Sequence, residues 1–307
     1  MRLEALHHIT MITSDATENV RFHADVLGLR LVKKTVNFDD PLSYHLYFGD
    51  ETGAPGSILT WFEAPGAPTG RAGAGMIHRI DLGVPDSSSL DFWAARLAAE
   101  GVATRREGDA LVFADPDGLA FALVVQGPNP PLTARHPEIP AEHAITGIEA
   151  VRAYTPTDPT TEDAVLTDLL GFNSAGDGAY DVEGSERSFR IAFDPAPAAP
   201  GLNGAGTVHH IAWASRDTDH VAWQERVARA GGRVSPVMDR DYFRSIYFRV
   251  PMGLLFEIAT LSPGFAVDED PDRLGEELRL PAMHAHLREH LERSLTPLAN
   301  PRAAVAG

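Results

Sequence analysis

The chain has no cysteine among its 307 residues. That absence removes disulfides, thiolate metal sites, iron–sulfur clusters and thiol nucleophiles together, so any metal must be held by nitrogen and oxygen. No apolar run approaches the ~20 residues that span a bilayer, so no membrane is expected. Basic charge is scarce: 26 Lys and Arg stand against 43 Asp and Glu, for a formal net charge of −17. Such a surface repels phosphate backbones, so nucleic acid is not an expected partner. The opening MRLEALHHIT has no basic segment before an apolar stretch and does not read as a signal peptide. The expected location is the cytoplasm. Glycine-rich Gly66–Gly75 lacks the Lys-Ser/Thr of a P-loop, and no Gly-x-Ser-x-Gly elbow is present.

What remains is an ordinary globular composition, 44% apolar and 22% charged, with length for two domains. The sequence repeats itself. Four apolar strand-like segments open similarly: Leu6–Thr13 (LHHITMIT), Ile77–Val84 (IHRIDLGV), Ile145–Tyr154 (ITGIEAVRAY) and Val208–Ser215 (VHHIAWAS). Each is followed by helix-capping signals: Ser14-Asp15, Pro85-Asp86-Ser87, Thr155-Pro156-Thr157-Asp158 and Arg216-Asp217. A helical stretch comes next. Over Ser87–Glu100, Leu90, Trp93, Ala94 and Leu97 share one face; over Thr218–Ala230, Trp223, Val227 and Ala230 do. Gly28, Gly101, Gly171 and Gly231 close the helices as left-handed caps.

Three further strands follow each helix. The first module places them near Arg30–Val36, Tyr44–Phe48 and Ser57–Phe62, the last at Arg233–Met238, Ser245–Val250 and Leu254–Leu261. The expected class is α+β, with four βαβββ modules. Low-complexity Ala64–Gly75 joins modules one and two, and Asp194–Gly206 is a long Pro/Ala/Gly loop. Pro-rich Gly127–Glu142 marks the expected boundary between domains 1–135 and 136–265. The tail, 266–307, begins acidic and ends in an amphipathic helix over Met283–Leu295.

Two opening strands carry paired histidines, His7-His8 and His209-His210. Neighbours in a strand point to opposite faces, so one of each pair can face a cavity while the other faces away. His8 and His210 each lie seven residues before Asp15 and Asp217. The same position is Arg79 in module two and an apolar residue near Ile148 in module three. Glu257 sits between Phe256 and Ile258 in an apolar strand, where a carboxylate is costly unless paired or metal-bound. Two imidazoles and a carboxylate can take one face of an octahedral metal and leave the other open, as in non-haem iron(II) oxygenases. Because these residues come from modules one and four, those two modules are expected to share a cup and modules two and three a second, metal-free one. His78 reads as structural; His284, His286 and His290 read as a solvated helix face, without an HExxH signature.

HHIT near the start, VHHIAWA in the fourth module and LLFEIAT in its last strand resemble the vicinal oxygen chelate superfamily. YHLYFGD, DRDYFRSIYFR, GFAVDED and RLGEEL resemble its hydroquinone ring-cleaving dioxygenases. The resemblance implies two vicinal-oxygen-chelate domains with cupped mixed sheets. It implies that His8, His210 and Glu257 ligate iron(II), with Mn(II) the alternative. It puts His7 and His209 behind the ligands, and Arg240 and Tyr247 against the substrate. It gives Tyr44 and His45 no role. The partners it implies are a small aromatic substrate and O2, and a homo-oligomer is compatible with it. Two other readings stay open. One is a glyoxalase-like metal-dependent isomerase or lyase, which asks for a fourth ligand; Glu63 is the nearest acid but reads as following the strand. The other is a non-catalytic protein that binds aromatic compounds.

Overall fold

Two curled eight-stranded sheets account for the fourfold repeat. They are seen in a computed structural model described over residues 1–156 and 164–302. Module one supplies β1 (Leu6–Thr13), β2 (Arg30–Val36), β3 (Tyr44–Gly49) and β4 (Ile58–Glu63). Module two supplies β5 (Ile77–Val84), β6 (Arg105–Glu107), β7 (Ala110–Ala114) and β8 (Ala120–Val125). Module three supplies β9 (Ile148–Tyr154), β10 (Asn173–Gly176), β11 (Ala179–Glu183) and β12 (Ser188–Asp194). Module four supplies β13 (Val208–Ser215), β14 (Met238–Asp239), β15 (Arg244–Arg249) and β16 (Leu255–Thr260). One sheet runs β14-β15-β16-β13-β1-β4-β3-β2, joining modules four and one; the other runs β10-β11-β12-β9-β5-β8-β7-β6, joining modules three and two. The hydrogen-bonded sheets therefore connect the two ends of the chain.

Outside their bulges the strands alternate, and the alternation assigns the two faces of the first sheet. Ile9, Leu46, Trp61, Trp213 and Ile258 turn to the apolar core and are fully buried. The opposite face carries His8 and Thr10 on β1, Thr60 on β4, His45 and Tyr47 on β3, and Glu257 on β16, which pairs with Tyr247 on β15. Truncating Trp213, which packs on Phe172, Phe189 and Phe256, would cost about 3–5 kcal/mol.

In modules one and two the helices begin where the caps predict. Asp15 accepts from the amides of Thr17 and Glu18, starting α1 (Ala16–Val20), which continues as a π-helical turn over Arg21–Val26. Asp86 accepts from Ser89 N and starts α2 (Ser87–Ala99). In module four a 3₁₀ turn, Asp217–Asp219, precedes α3 (His220–Arg229). Module three has a π-helical turn at Val165–Leu169; two residues of its expected cap, Thr157 and Asp158, lie outside the described residues. Gly28, Gly101, Gly171 and Gly231 all have φ between 70° and 85°, the left-handed region in which a Cβ is strained.

Two local expectations change. The strand expected over Arg233–Met238 is only Met238–Asp239, with an isolated bridge from Val234 to Phe248; Pro236 has no N–H to donate to a ladder. The tail helix expected over Met283–Leu295 is a 3₁₀ segment, Ala282–Leu287, followed by α4 (Arg288–Ser294). The glycine-rich linker is ordered: Thr69 and Arg71 bridge Ala205 and Leu202 of the long module-three loop. The approach is close enough that a Cβ on Gly73 would stand 2.2 Å from the Gly201 nitrogen.

Candidate metal centre

His8, His210 and Glu257 come from β1, β13 and β16, adjacent strands in the first sheet. One ligand atom from each lies within 4.8 Å of the others, and no other such group of His, Asp or Glu exists among the described residues. Glu257 Oε2 is 2.9 Å from His210 Nε2 and 3.3 Å from His8 Nε2; the two imidazole nitrogens are 3.4 Å apart. All three residues are buried. The second Glu257 oxygen, Oε1, accepts from Ser245 Oγ at 2.5 Å. Oε2 is fully buried without a hydrogen bond of acceptable geometry. An orphaned carboxylate oxygen facing two imidazole nitrogens is the donor set that a cation satisfies. Burial pushes Glu257 up, but the neighbouring imidazoles of His8 and His210 hold it well below the ordinary carboxylate range.

The paired histidines do not face apart. Nδ1 of His7 is 2.8 Å from Nδ1 of His8, and Nδ1 of His209 is 2.7 Å from Nδ1 of His210. The cause is a pair of β-bulges. Between the pairs Leu6↔Trp213 and His8↔Ala212, β1 spends an extra residue, His7. Between Thr10↔His210 and Met11↔Val208, β13 spends His209. A bulge breaks strict alternation and brings consecutive side chains together. The second sheet repeats the device at His78 and Glu149, which makes Arg79 and Ala150 the counterparts of His8 and His210. In place of a triad, that cup holds ion pairs: Arg79 with Asp81, and Arg152 and His78 with Asp194. Burial, and then the charge of neighbouring His8, push His7 down to about 3.

The remaining wall closes over the triad. Arg240 Nε donates to Tyr247 Oη at 3.3 Å, and its Nη2 reaches Asp39 Oδ2 at 3.3 Å across the mouth. Phe243 lies edge-on to His7 and tilted against His8, with centroids 4.9 and 5.2 Å away. The space they leave is about 30 Å³, about the volume of one water. His45 and Tyr47 complete it. His45 Nε2 is 2.7 Å from Thr60 Oγ1, and Tyr47 Oη is 3.0 Å from His45 Nδ1. Burial, then His8 and His210, hold His45 well below its ordinary value, while burial first raises Tyr47 and Tyr247. Alternation in YHLYFGD was the signal for His45 and Tyr47. Tyr44, on the other face, donates to Thr296 O.

The other candidates lie elsewhere. Glu63 is the last residue of β4, not beyond it, and accepts from Ala16 N at the start of α1 at 3.3 Å. His78 pairs with Asp194 and stacks on Tyr154. His284 contacts Phe38 O through Nε2 at 2.9 Å.

Residues 5–123 match the model of the Glyoxalase/Bleomycin resistance protein/Dioxygenase superfamily. "Putative ring-cleaving dioxygenase MhqO" of Bacillus subtilis (strain 168) is 41% identical over 305 residues, covering 95% of this chain and 96% of that protein. "Chlorohydroquinone/hydroquinone 1,2-dioxygenase" of Sphingobium indicum is 33% identical, covering 96% of each. A crystal structure of a "putative dioxygenase" from Bacillus subtilis subsp. subtilis str. 168 superposes with a TM-score of 0.88 at 38% identity, covering 97% of this chain and 98% of that one.

Proposed function

The chain belongs to the glyoxalase/bleomycin resistance protein/dioxygenase superfamily, and from that premise we propose that it is a ring-cleaving dioxygenase of hydroquinone-type aromatic compounds. The carrying observation is the buried, orphaned Glu257 oxygen facing the Nε2 atoms of His8 and His210. These three residues would hold iron(II). Glu63 hydrogen-bonds the start of α1 instead, which disfavours the four-ligand isomerase reading.

A bound iron(II) would supply open coordination positions and electrons for bringing a ring oxygen and O2 together, with both atoms of O2 entering the ring-opened product. The protein's own groups do the rest. Ligation through Nε2 keeps the proton of His8 and His210 on Nδ1, where the Nδ1 of His7 or His209 accepts it; this fixes tautomer and ring orientation. Arg240 offers a permanent cation to a deprotonated ring oxygen, and Tyr247, kept protonated by burial, offers a hydrogen bond beside it. Phe62 and Phe243 line the cup with apolar surface and limit water. The Arg240–Asp39 contact and Phe243 stand at the mouth of this small space, where a ring would enter.

Oxygen uptake tests this reading. Protein loaded anaerobically with Fe(II) should consume O2 with hydroquinone faster than with catechol. No uptake with either substrate contradicts the proposal.

A further inference from the structure

A larger cavity lies away from the metal centre, between the start of β2, the linker at 135–137 and the C-terminal segment. Its volume is about 420 Å³, and it shares no lining residue with the cup. Its wall combines Leu29, Leu31 and Leu274 with three arginines, Arg30, Arg135 and Arg302. Three guanidiniums around one cavity are unexpected in a chain of net charge −17.

Arg30 is the unusual member. It is only 4% exposed. Its Nη1 donates to the backbone carbonyl of Glu51 at 2.5 Å and lies 3.5 Å from Glu51 Oε2. Its Nε and Nη2 are buried with no acceptor among the described residues. Buried guanidinium donors are normally matched by acceptors, because desolvating them unpaired is costly. The nearest carboxylate is already committed. Arg302 grips Glu51 with both terminal nitrogens, at 3.1 and 2.6 Å, and the backbone N–H of Arg135 donates to it at 2.6 Å. Asp25 is the only acid in the wall, and it is exposed; Asp272 and Glu276 act on Arg30 from outside it. Burial, and then the charge of Arg302, hold Arg30 below its ordinary value. An added anion would relieve both.

We propose that this cavity binds a small organic carboxylate with an apolar body, such as an arene carboxylate or an unsaturated acid. The carboxylate lies against the Arg30 guanidinium and reaches its unused donors by a small shift of that side chain, with Arg135 and Arg302 beside it, and the hydrocarbon part lies on Leu29, Leu31 and Leu274. The guanidinium fork suits a planar carboxylate, and the leucines suit a hydrocarbon that an inorganic anion lacks. The site is independent of the ring-cleavage reading and would stand if that reading fell.

Calorimetric titration of the full chain with benzoate tests it, with benzyl alcohol as the neutral analogue and sulfate as the inorganic anion. One benzoate should bind per chain with a Kd of about 1 mM or tighter. Binding should weaken about tenfold or more in Arg30→Met, which removes the charge-assisted contact. It should weaken similarly in Arg135→Glu, an exposed side chain whose replacement leaves the fold intact. His8→Ala should leave it unchanged, and benzyl alcohol should not saturate. Three results would overturn the proposal: no saturable benzoate binding, binding lost in His8→Ala but kept in Arg135→Glu, or sulfate bound as tightly as benzoate.

Discussion

Nδ1 of His209 lies 2.7 Å from Nδ1 of His210, and the contact exists because β13 spends His209 on a bulge opposite β1. His209 is itself exposed, so its replacement disturbs little packing. Its loss frees the ring of His210 to rotate and to change tautomer. His209→Ala should therefore weaken metal binding by about 10–100-fold with an unchanged melting temperature. A competitive chelator titration measures the first and calorimetry the second.

Under the proposed function Arg240 acts on the substrate, and its partner Asp39 only sits at the mouth. Asp39 is exposed, and an exposed ion pair contributes about 0–1 kcal/mol. Arg240→Gln should lower kcat/KM by about 10²-fold while leaving bound metal stoichiometric. Asp39→Asn should change kcat/KM by less than about threefold. Equal effects from the two variants would assign Arg240 to the rim alone.

Lys33 is fully buried on β2, beneath the C-terminal segment. It forms an ion pair with Asp268 at 2.6 Å and another with buried Glu269, and its ammonium lies 4.8 Å from the centre of the Tyr242 ring. Lys33→Met leaves buried Glu269 with only the longer 3.5 Å ion pair to Arg279, a change that costs about 3 kcal/mol. Denaturant unfolding should register that loss, and limited proteolysis should cut first between residues 265 and 280.

Asp115 gives a pH dependence opposite to that of an ordinary salt-bridged acid. Its Oδ1 accepts from Leu119 N at 2.8 Å, its Oδ2 is buried without a partner, and burial pushes its pKa up to about 7. A folded-state pKa above the unfolded value means that the folded chain holds the proton longer. The contribution of Asp115 is most favourable below about pH 4 and is lost as pH rises toward 7, by an amount on the order of a few kcal/mol. Asp115→Asn should flatten the stability profile across that window, measured by urea unfolding at several pH values.

Much of the architecture was legible because the repeat was. Capping residues, glycine stops and strand alternation recur once per module, and matching His8 to His210 indicated which modules share a sheet. Chain-local signals could not show how the sheet pairs. The bulges at His7 and His209 lie in the antiparallel pairing of β1 with β13, and no residue type announces them. They also bring each histidine pair together, where alternation alone places its members on opposite faces. Pro236 carried a readable warning against the strand expected at Arg233–Met238. Alternation in YHLYFGD puts His45 and Tyr47 on one face, but that this face lines the cup depends on the pairing with β4, where His45 meets Thr60.

The most direct test is iron stoichiometry. Wild-type protein and the variants His8→Ala, His210→Ala and Glu257→Ala would be loaded with Fe(II) anaerobically, desalted, and measured for bound metal and secondary structure. One iron per chain in the wild type, falling to near zero in each folded variant, is the predicted result. Stoichiometric iron retained in all three variants would contradict the account.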